Sequence, residues 1–166
     1  MKRWLAVFLV VAVLVAGLAG CGFKLREAAK LPFSTVYVPG SGGIALDLKR
    51  NIRAGTDAKV VDNAKSAQAV MQFTREERQK VILSLTATGR VREFQLRYIV
   101  SFRVVDNKGN YYVPLSTIRL TRDVTFNDAE VLAKESEDQL LYRDMQNDMV
   151  QQIMLRLAAA KPPASG

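Results

Sequence analysis

The stretch Arg92-Glu93-Phe94-Gln95-Leu96-Arg97-Tyr98-Ile99-Val100-Ser101-Phe102-Arg103-Val104-Val105 decides the fold. Phe94, Leu96, Tyr98, Val100, Phe102 and Val104 share one parity, and Glu93, Gln95, Arg97, Ser101 and Arg103 the other. Ile99 and Val105 interrupt the alternation. Successive side chains of a β-strand point to opposite faces, so the pattern predicts a half-buried antiparallel strand with one apolar and one polar face. At about 3.4 Å per residue it would exceed ~40 Å, longer than most strands.

Downstream, Asp106-Asn107-Lys108-Gly109-Asn110 is rich in turn formers and predicts a hairpin. The return strand runs over Tyr111–Phe126, with Ile118, Leu120, Val124 and Phe126 on one parity. Arg122 shares that parity, which fits either the sheet margin or a functional cation, the margin being preferred. Asn127 and Glu130 form a capping-box-like pair opening a helix. Leu141, Met145, Met149, Ile153 and Leu157 then recur every fourth residue as an apolar stripe.

Upstream, Val81–Thr88 has strand character, and Ala67, Ala69, Met71 and Phe73 alternate as another strand would. The charged run Arg75-Glu76-Glu77-Arg78-Gln79-Lys80 between them suits either a turn or an exposed strand edge. Its charges read as a binding patch or, preferably, as a solvated edge that discourages aggregation. Thr35–Val38 reads as a first strand stopped by Pro39-Gly40. Ile44, Leu48 and Ile52, with Leu46, predict a helix closing near Gly55, and Ala58–Val61 a short strand. The sum is an α+β fold: a two-layer sandwich, two helices packed on one face of a mostly antiparallel sheet of about four strands. The opposite face, with Gln95, Arg97, Ser101 and Arg103, suits water or a polar partner such as the interior of a large β-barrel.

The N-terminus supplies an address. Lys2 and Arg3 precede an apolar run, Trp4–Ala16, and Leu18-Ala19-Gly20-Cys21 places small residues directly before the only cysteine. This is secretory-signal anatomy, and the run is too short for a comfortable span. The last four residues match a lipobox, whose consequence is acylation of Cys21 and removal of residues 1–20. A plain signal peptide that happens to hold a cysteine is the alternative. The expected organisation is a lipidated tether over 21–33, one domain over 34–160 and a disordered tail over 161–166. Several acyl chains on Cys21 would anchor the protein firmly in outer-membrane lipid.

Composition excludes much chemistry. The chain has no histidine, hence lacks the commonest general base and transition-metal ligand. No nucleophile elbow, phosphate loop or metal-ligand cluster is present in the sequence, so no enzymatic activity, cofactor or metal is expected. Of 24 basic and 16 acidic residues only Lys2 and Arg3 lie in the signal, so the positive excess survives cleavage. In the periplasm such a surface meets lipid headgroups, lipopolysaccharide phosphates or acidic protein faces, and the compartment excludes nucleic acid.

These residues resemble the LptE family of lipopolysaccharide-assembly lipoproteins. The matching stretches are Cys21-Gly22-Phe23-Lys24-Leu25-Arg26 after the lipobox, Pro32 before the first strand, Arg92-Glu93-Phe94-Gln95-Leu96 and Val131-Leu132-Ala133-Lys134-Glu135. The resemblance implies an outer-membrane lipoprotein facing the periplasm. It would plug the β-barrel LptD in a 1:1 complex, help that barrel assemble, and bind lipopolysaccharide in transit to the outer leaflet. It also implies that Lys134, on the matching Leu-Ala-Lys, contacts lipopolysaccharide. At the family's second basic position this chain departs, having Ala87-Thr88 before Gly89; Arg90 and Arg92 lie beside it as substitutes. An accessory lipoprotein of another envelope machine is the competing reading.

Overall fold

The computed structural model describes residues 29–127 and 131–163. Cys21, the signal, most of the tether, Glu130 of the capping pair and Ala164–Gly166 lie outside the described residues. The chain first builds a compact βαβ unit: β1 (Thr35–Tyr37), helix α1 (Gly43–Gly55) and β2 (Lys59–Val61). β1 and β2 are parallel, with Val36 opposite Val60, and α1 is the crossover that parallel pairing requires. A 3₁₀ turn at Ala64–Ser66, capped where Asn63 Oδ1 accepts from the Lys65 amide at 2.9 Å, leads into a meander. The meander comprises β3 (Ala69–Leu85), β4 (Val91–Val105) and β5 (Tyr111–Thr125), and α2 (Val131–Ala158) closes the domain.

The sheet order is β2-β1-β3-β4-β5. It therefore has five strands and a parallel wing, against the expected four or so. β1 and β2, both expected as short strands, contribute three residues each, too few to reveal how they pair. β1 runs beside β3 only at Ala69 and Val70, so the rest of β3 is an open edge among the described residues. The run Arg75–Lys80 is uninterrupted strand, as the edge reading proposed.

Both hairpins of the meander use one design. The first turn residue donates to the carbonyl of the last, and a glycine donates back to the first: Thr86 N to Arg90 O at 2.7 Å with Gly89 N to Thr86 O at 2.9 Å, and Asp106 N to Asn110 O at 2.9 Å with Gly109 N to Asp106 O at 3.2 Å. Gly89 (φ +79°) and Gly109 (φ +88°) take the left-handed conformation that a Cβ would disfavour.

The long β4 pattern is realised as the sheet's centre. Leu96, Tyr98, Val100, Phe102 and Val104 are buried beneath the helices with Ile44, Leu48 and Ile52 of α1 and Met145, Met149, Ile153 and Leu157 of α2. Ile99, on the polar face, is also buried at 2% exposure, between Glu77 of β3 and Arg119 of β5. Arg122 is at the margin: on edge strand β5, it reaches Asp148 of α2 at 2.6 Å.

The stripe on α2 has a geometric consequence. Four residues advance an α-helix about 400°, roughly 40° past a full turn, so a strict four-residue repeat rotates around the helix. The structure uses that rotation. Near its start α2 meets β3, where Asp138 pairs with Lys80 and Tyr142 Oη donates to Gln79 O at 2.7 Å. Further on it meets β5 through Asp148 and, at 3.5 Å, Arg156 with Thr117 O. Its other flank bonds α1, with Gln146 donating to Asp47 and Gln151 to Asn51. The helices thus run parallel, and α2 crosses the sheet obliquely.

The folded unit extends further toward the N-terminus than the expected boundary at 34. Leu31 and Phe33, assigned to the tether by sequence, are buried in the core. The Ala29 amide donates to Gly55 O at 2.8 Å and the Leu31 amide to Asp57 Oδ1 at 3.3 Å.

Candidate functional site

Strand directions give the domain two distinct ends. The tip consists of the β3–β4 hairpin, the end of β5 and the start of α2; the base consists of the two helix C-termini and Ala29. At the tip, the Phe126 amide donates to Arg92 O at 2.9 Å, tying the end of β5 to the start of β4. Phe94 and Phe126 meet edge to face at 5.2 Å. Lys80 Nζ lies 4.5 Å from the Phe94 centroid while paired with Asp138. A cation is therefore fixed between strand, helix and an aromatic corner.

All three sequence-predicted cations belong to this tip, on different elements. Arg90 closes the hairpin, its amide donating to Thr86 Oγ1 at 3.1 Å. Arg92 is exposed and 3.7 Å from Glu93. Lys134, in the first turns of α2, is largely covered and 2.8 Å from Glu137. Sequence reasoning missed what surrounds them. Ile82 (57% exposed), Leu83 and Leu85 (54%) on β3 and Leu132 on α2 stand in solvent. The signal available was the unbroken Val81-Ile82-Leu83 beside a turn, but apolar residues in a strand read as buried.

Deeper under α2, Tyr98 donates to Glu76 at 2.7 Å, and Arg78 lies 5.1 Å from the Tyr98 ring and 5.4 Å from that of Tyr142. Burial, followed by the bond to Glu76, pushes the Tyr98 phenol well above its usual range. Burial and the nearby Asp138 raise Tyr142 in the same direction.

The sheet face that no described element covers is a polar ladder. Arg103 donates to Gln72 at 2.6 Å, Arg97 to Gln95 at 2.8 Å and Gln95 to Asp123 at 2.9 Å. The Ser101 and Thr117 hydroxyls meet at 2.8 Å. Glu77 accepts from Gln79 and Arg75, bonds that hold its carboxyl below the ordinary carboxylate range. Side chains so bonded present a fixed polar surface.

Among the described residues no group of His, Cys, Asp or Glu could hold a metal, and no helix is long and apolar enough to cross a membrane. A polar sheet face beside an amphipathic basic tip gives the domain two surfaces suited to binding. The family model LptE, lipopolysaccharide-assembly, matches residues 33–157, and the chain belongs to that family, a non-enzymatic class serving lipopolysaccharide transport. It is 26% identical over 160 residues to the LPS-assembly lipoprotein LptE of Photorhabdus laumondii, covering 93% of this chain and 85% of the relative. Among solved structures, uncharacterized lipoprotein B of Nitrosomonas europaea superposes with a TM-score of 0.68 at 47% identity, over 80% of this chain and 87% of that one. Rare lipoprotein B of Shewanella oneidensis follows at 0.64 and 25% identity, over 78% and 94%.

Proposed function

We propose that this protein is an outer-membrane lipoprotein, anchored through acylated Cys21, that plugs and helps assemble a β-barrel of the LptD type in a 1:1 complex and binds lipopolysaccharide through its tip. One observation supports the binding role above others: Arg90, Arg92 and Lys134 share an end of the molecule with exposed Ile82, Leu83, Leu85 and Leu132. Lipopolysaccharide joins phosphates and sugar-acid carboxylates to acyl chains, so its recognition needs cations and apolar surface side by side. Arginine grips phosphate through paired hydrogen bonds and lysine as a mobile point charge. Exposed ion pairs are individually weak, so affinity requires several cations together with apolar burial.

The triple variant Arg90→Asp, Arg92→Asp, Lys134→Asp tests this reading. Lipopolysaccharide binding should weaken at least tenfold while the circular dichroism spectrum stays unchanged; unaltered binding removes these residues from the site. Barrel co-purification from solubilised outer membranes tests the plug. Depletion separates this role from that of an accessory to another machine: surface lipopolysaccharide should fall only if the first holds.

A further inference from the structure

The polar ladder stops short of the base end of its sheet face. There one residue from each strand lies opposite the next. Val61 of β2 pairs with Tyr37 of β1, Tyr37 with Val70 of β3, Val70 with Val105 of β4, and Val105 with Tyr111 of β5. Directly paired residues point to the same side of a sheet, and Val105 shares the parity of Ser101 and Arg103. The row therefore lies on the face away from the helices, and none of its five members belongs to the core beneath them. Four strand spacings of about 4.8 Å make it roughly 19 Å long. Tyr111 is 51% exposed, and Leu115, further along β5, is 63% exposed. We propose that this apolar row rests on the phospholipid surface to which acylated Cys21 holds the protein, an inference that depends on that anchor.

The charges beside the row and its place in the fold argue for lipid. Lys59 is two residues before Val61 on β2 and so shares its face. Lys65 is in the 3₁₀ turn that follows β2, and Lys108 in the β4–β5 hairpin. All three are exposed, and none forms an ion pair among the described residues. Of the two acids that flank the row in sequence, Asp106 is occupied by the Lys108 and Asn110 amides, each at 2.8 Å, which leaves Asp62. Tyrosine sets an apolar ring and a polar hydroxyl at headgroup depth, and lysines extend their stems to anionic headgroups. Ala29, where the described domain begins, is at the same end of the molecule and eight residues after Cys21, a reach of at most about 29 Å. Acylation therefore keeps the row close to lipid, and a tethered contact needs little affinity of its own to be populated. The consequence is an orientation. A contact confined to the base tilts the polar ladder and the tip off the lipid, where barrel and lipopolysaccharide can reach them.

Fluorescence in the lipidated chain tests the inference without depending on lipopolysaccharide binding. Trp4 is the only tryptophan and belongs to the stretch expected to be removed, so an introduced tryptophan reports its own site. The acylated protein is reconstituted into vesicles of phosphatidylethanolamine and phosphatidylglycerol, some brominated at the glycerol end of their acyl chains. Emission from Tyr111→Trp should be quenched at least about threefold more strongly than from Thr121→Trp, on the same strand and face but about 34 Å toward the tip. Leu115→Trp replaces a largely exposed side chain, so it keeps the test decisive if Tyr111→Trp folds poorly, and it should be quenched as strongly. Adding Lys59→Glu, Lys65→Glu and Lys108→Glu should at least halve the quenching. Equal quenching at base and tip, none at either, or quenching unmoved by the charge reversal overturns the inference. So does Tyr111→Trp emission that lipid leaves unchanged and only added barrel shifts to the blue, which would give the row to the barrel. Mass spectrometry separates the anchor from the docking. An unmodified Cys21 removes both, whereas an acylated, vesicle-bound chain quenched alike at both positions removes the docking alone.

Discussion

Tyr98 shows how much of the interior chemistry depends on single residues. Its ring is part of the β4 core, and its hydroxyl meets Glu76 at 2.7 Å beneath Arg78. The folded protein holds the phenolic proton more tightly than the unfolded chain, where tyrosine titrates near pH 10. A raised value contributes stability that is complete below about pH 10 and is lost as pH rises beyond it. Tyr98→Phe removes this contribution. Denaturant titrations should show a loss of about 1–2 kcal/mol at pH 7, from the missing hydrogen bond, and a flatter decline between about pH 10 and 12 than in the native protein. A parallel decline would assign the alkaline sensitivity elsewhere, with Tyr142 the first candidate. At this scale legibility was uneven. The parity of Tyr98 placed it in the core, whereas Ile99 read only as an interruption of a polar face. Its burial between Glu77 and Arg119 depends on neighbours from two other strands.

Elements were legible in proportion to their length. β4, β5 and α2 carry enough periods for a pattern to emerge, and their observed limits lie close to those expected. The parallel wing was not legible as such, because β1 and β2 have one or two inward residues each and take their pairing from α1. β3 was legible only in pieces. Its middle places Glu76, Arg78 and Lys80 on the helix-covered side, where Tyr98, Gln146 and Asp138 bond them, so inward charges masked the alternation. The oblique course of α2 follows from its four-residue repeat, and Met149 lies midway along that stripe, fully buried. Met149→Ala leaves a cavity between the layers. It should cost about 2–5 kcal/mol in chemical denaturation. The equivalent change at exposed Leu132 should cost less than about 0.5 kcal/mol, since it removes no packed contact. A small effect at Met149 would mean that α2 is held by its polar bonds to β3 and β5 rather than by the stripe.

The whole molecule separates its surfaces: helices cover one sheet face, a bonded polar ladder fills most of the other, and an amphipathic tip stands opposite a base crossed by an apolar row. The family resemblance singled out Lys134 as a candidate and, beside a position where the match fails, left Arg90 and Arg92 as substitutes. The exposed apolar residues of the tip were hidden because exposure is a property of the fold. If the polar face meets the barrel wall while the tip meets lipopolysaccharide, damage to each should be separable. Arg97 and Arg119 project from that face on adjacent strands β4 and β5. Arg97→Glu with Arg119→Glu reverses their charge on the face opposite the helices, leaving the core packed beneath the helices in place. Thermal unfolding should shift by no more than about 2–4 °C, as expected for surface changes worth at most ~1 kcal/mol in a domain of this size. Co-purified barrel should fall at least fivefold, because like charges or unpaired carboxylates facing a partner are costly to desolvate. Purified variant protein should still bind lipopolysaccharide at native strength. The triple tip variant should give the reverse, full barrel recovery with weakened lipopolysaccharide binding. If both variants lose both partners together, barrel and lipid use one continuous surface, and the division of labour between face and tip is wrong.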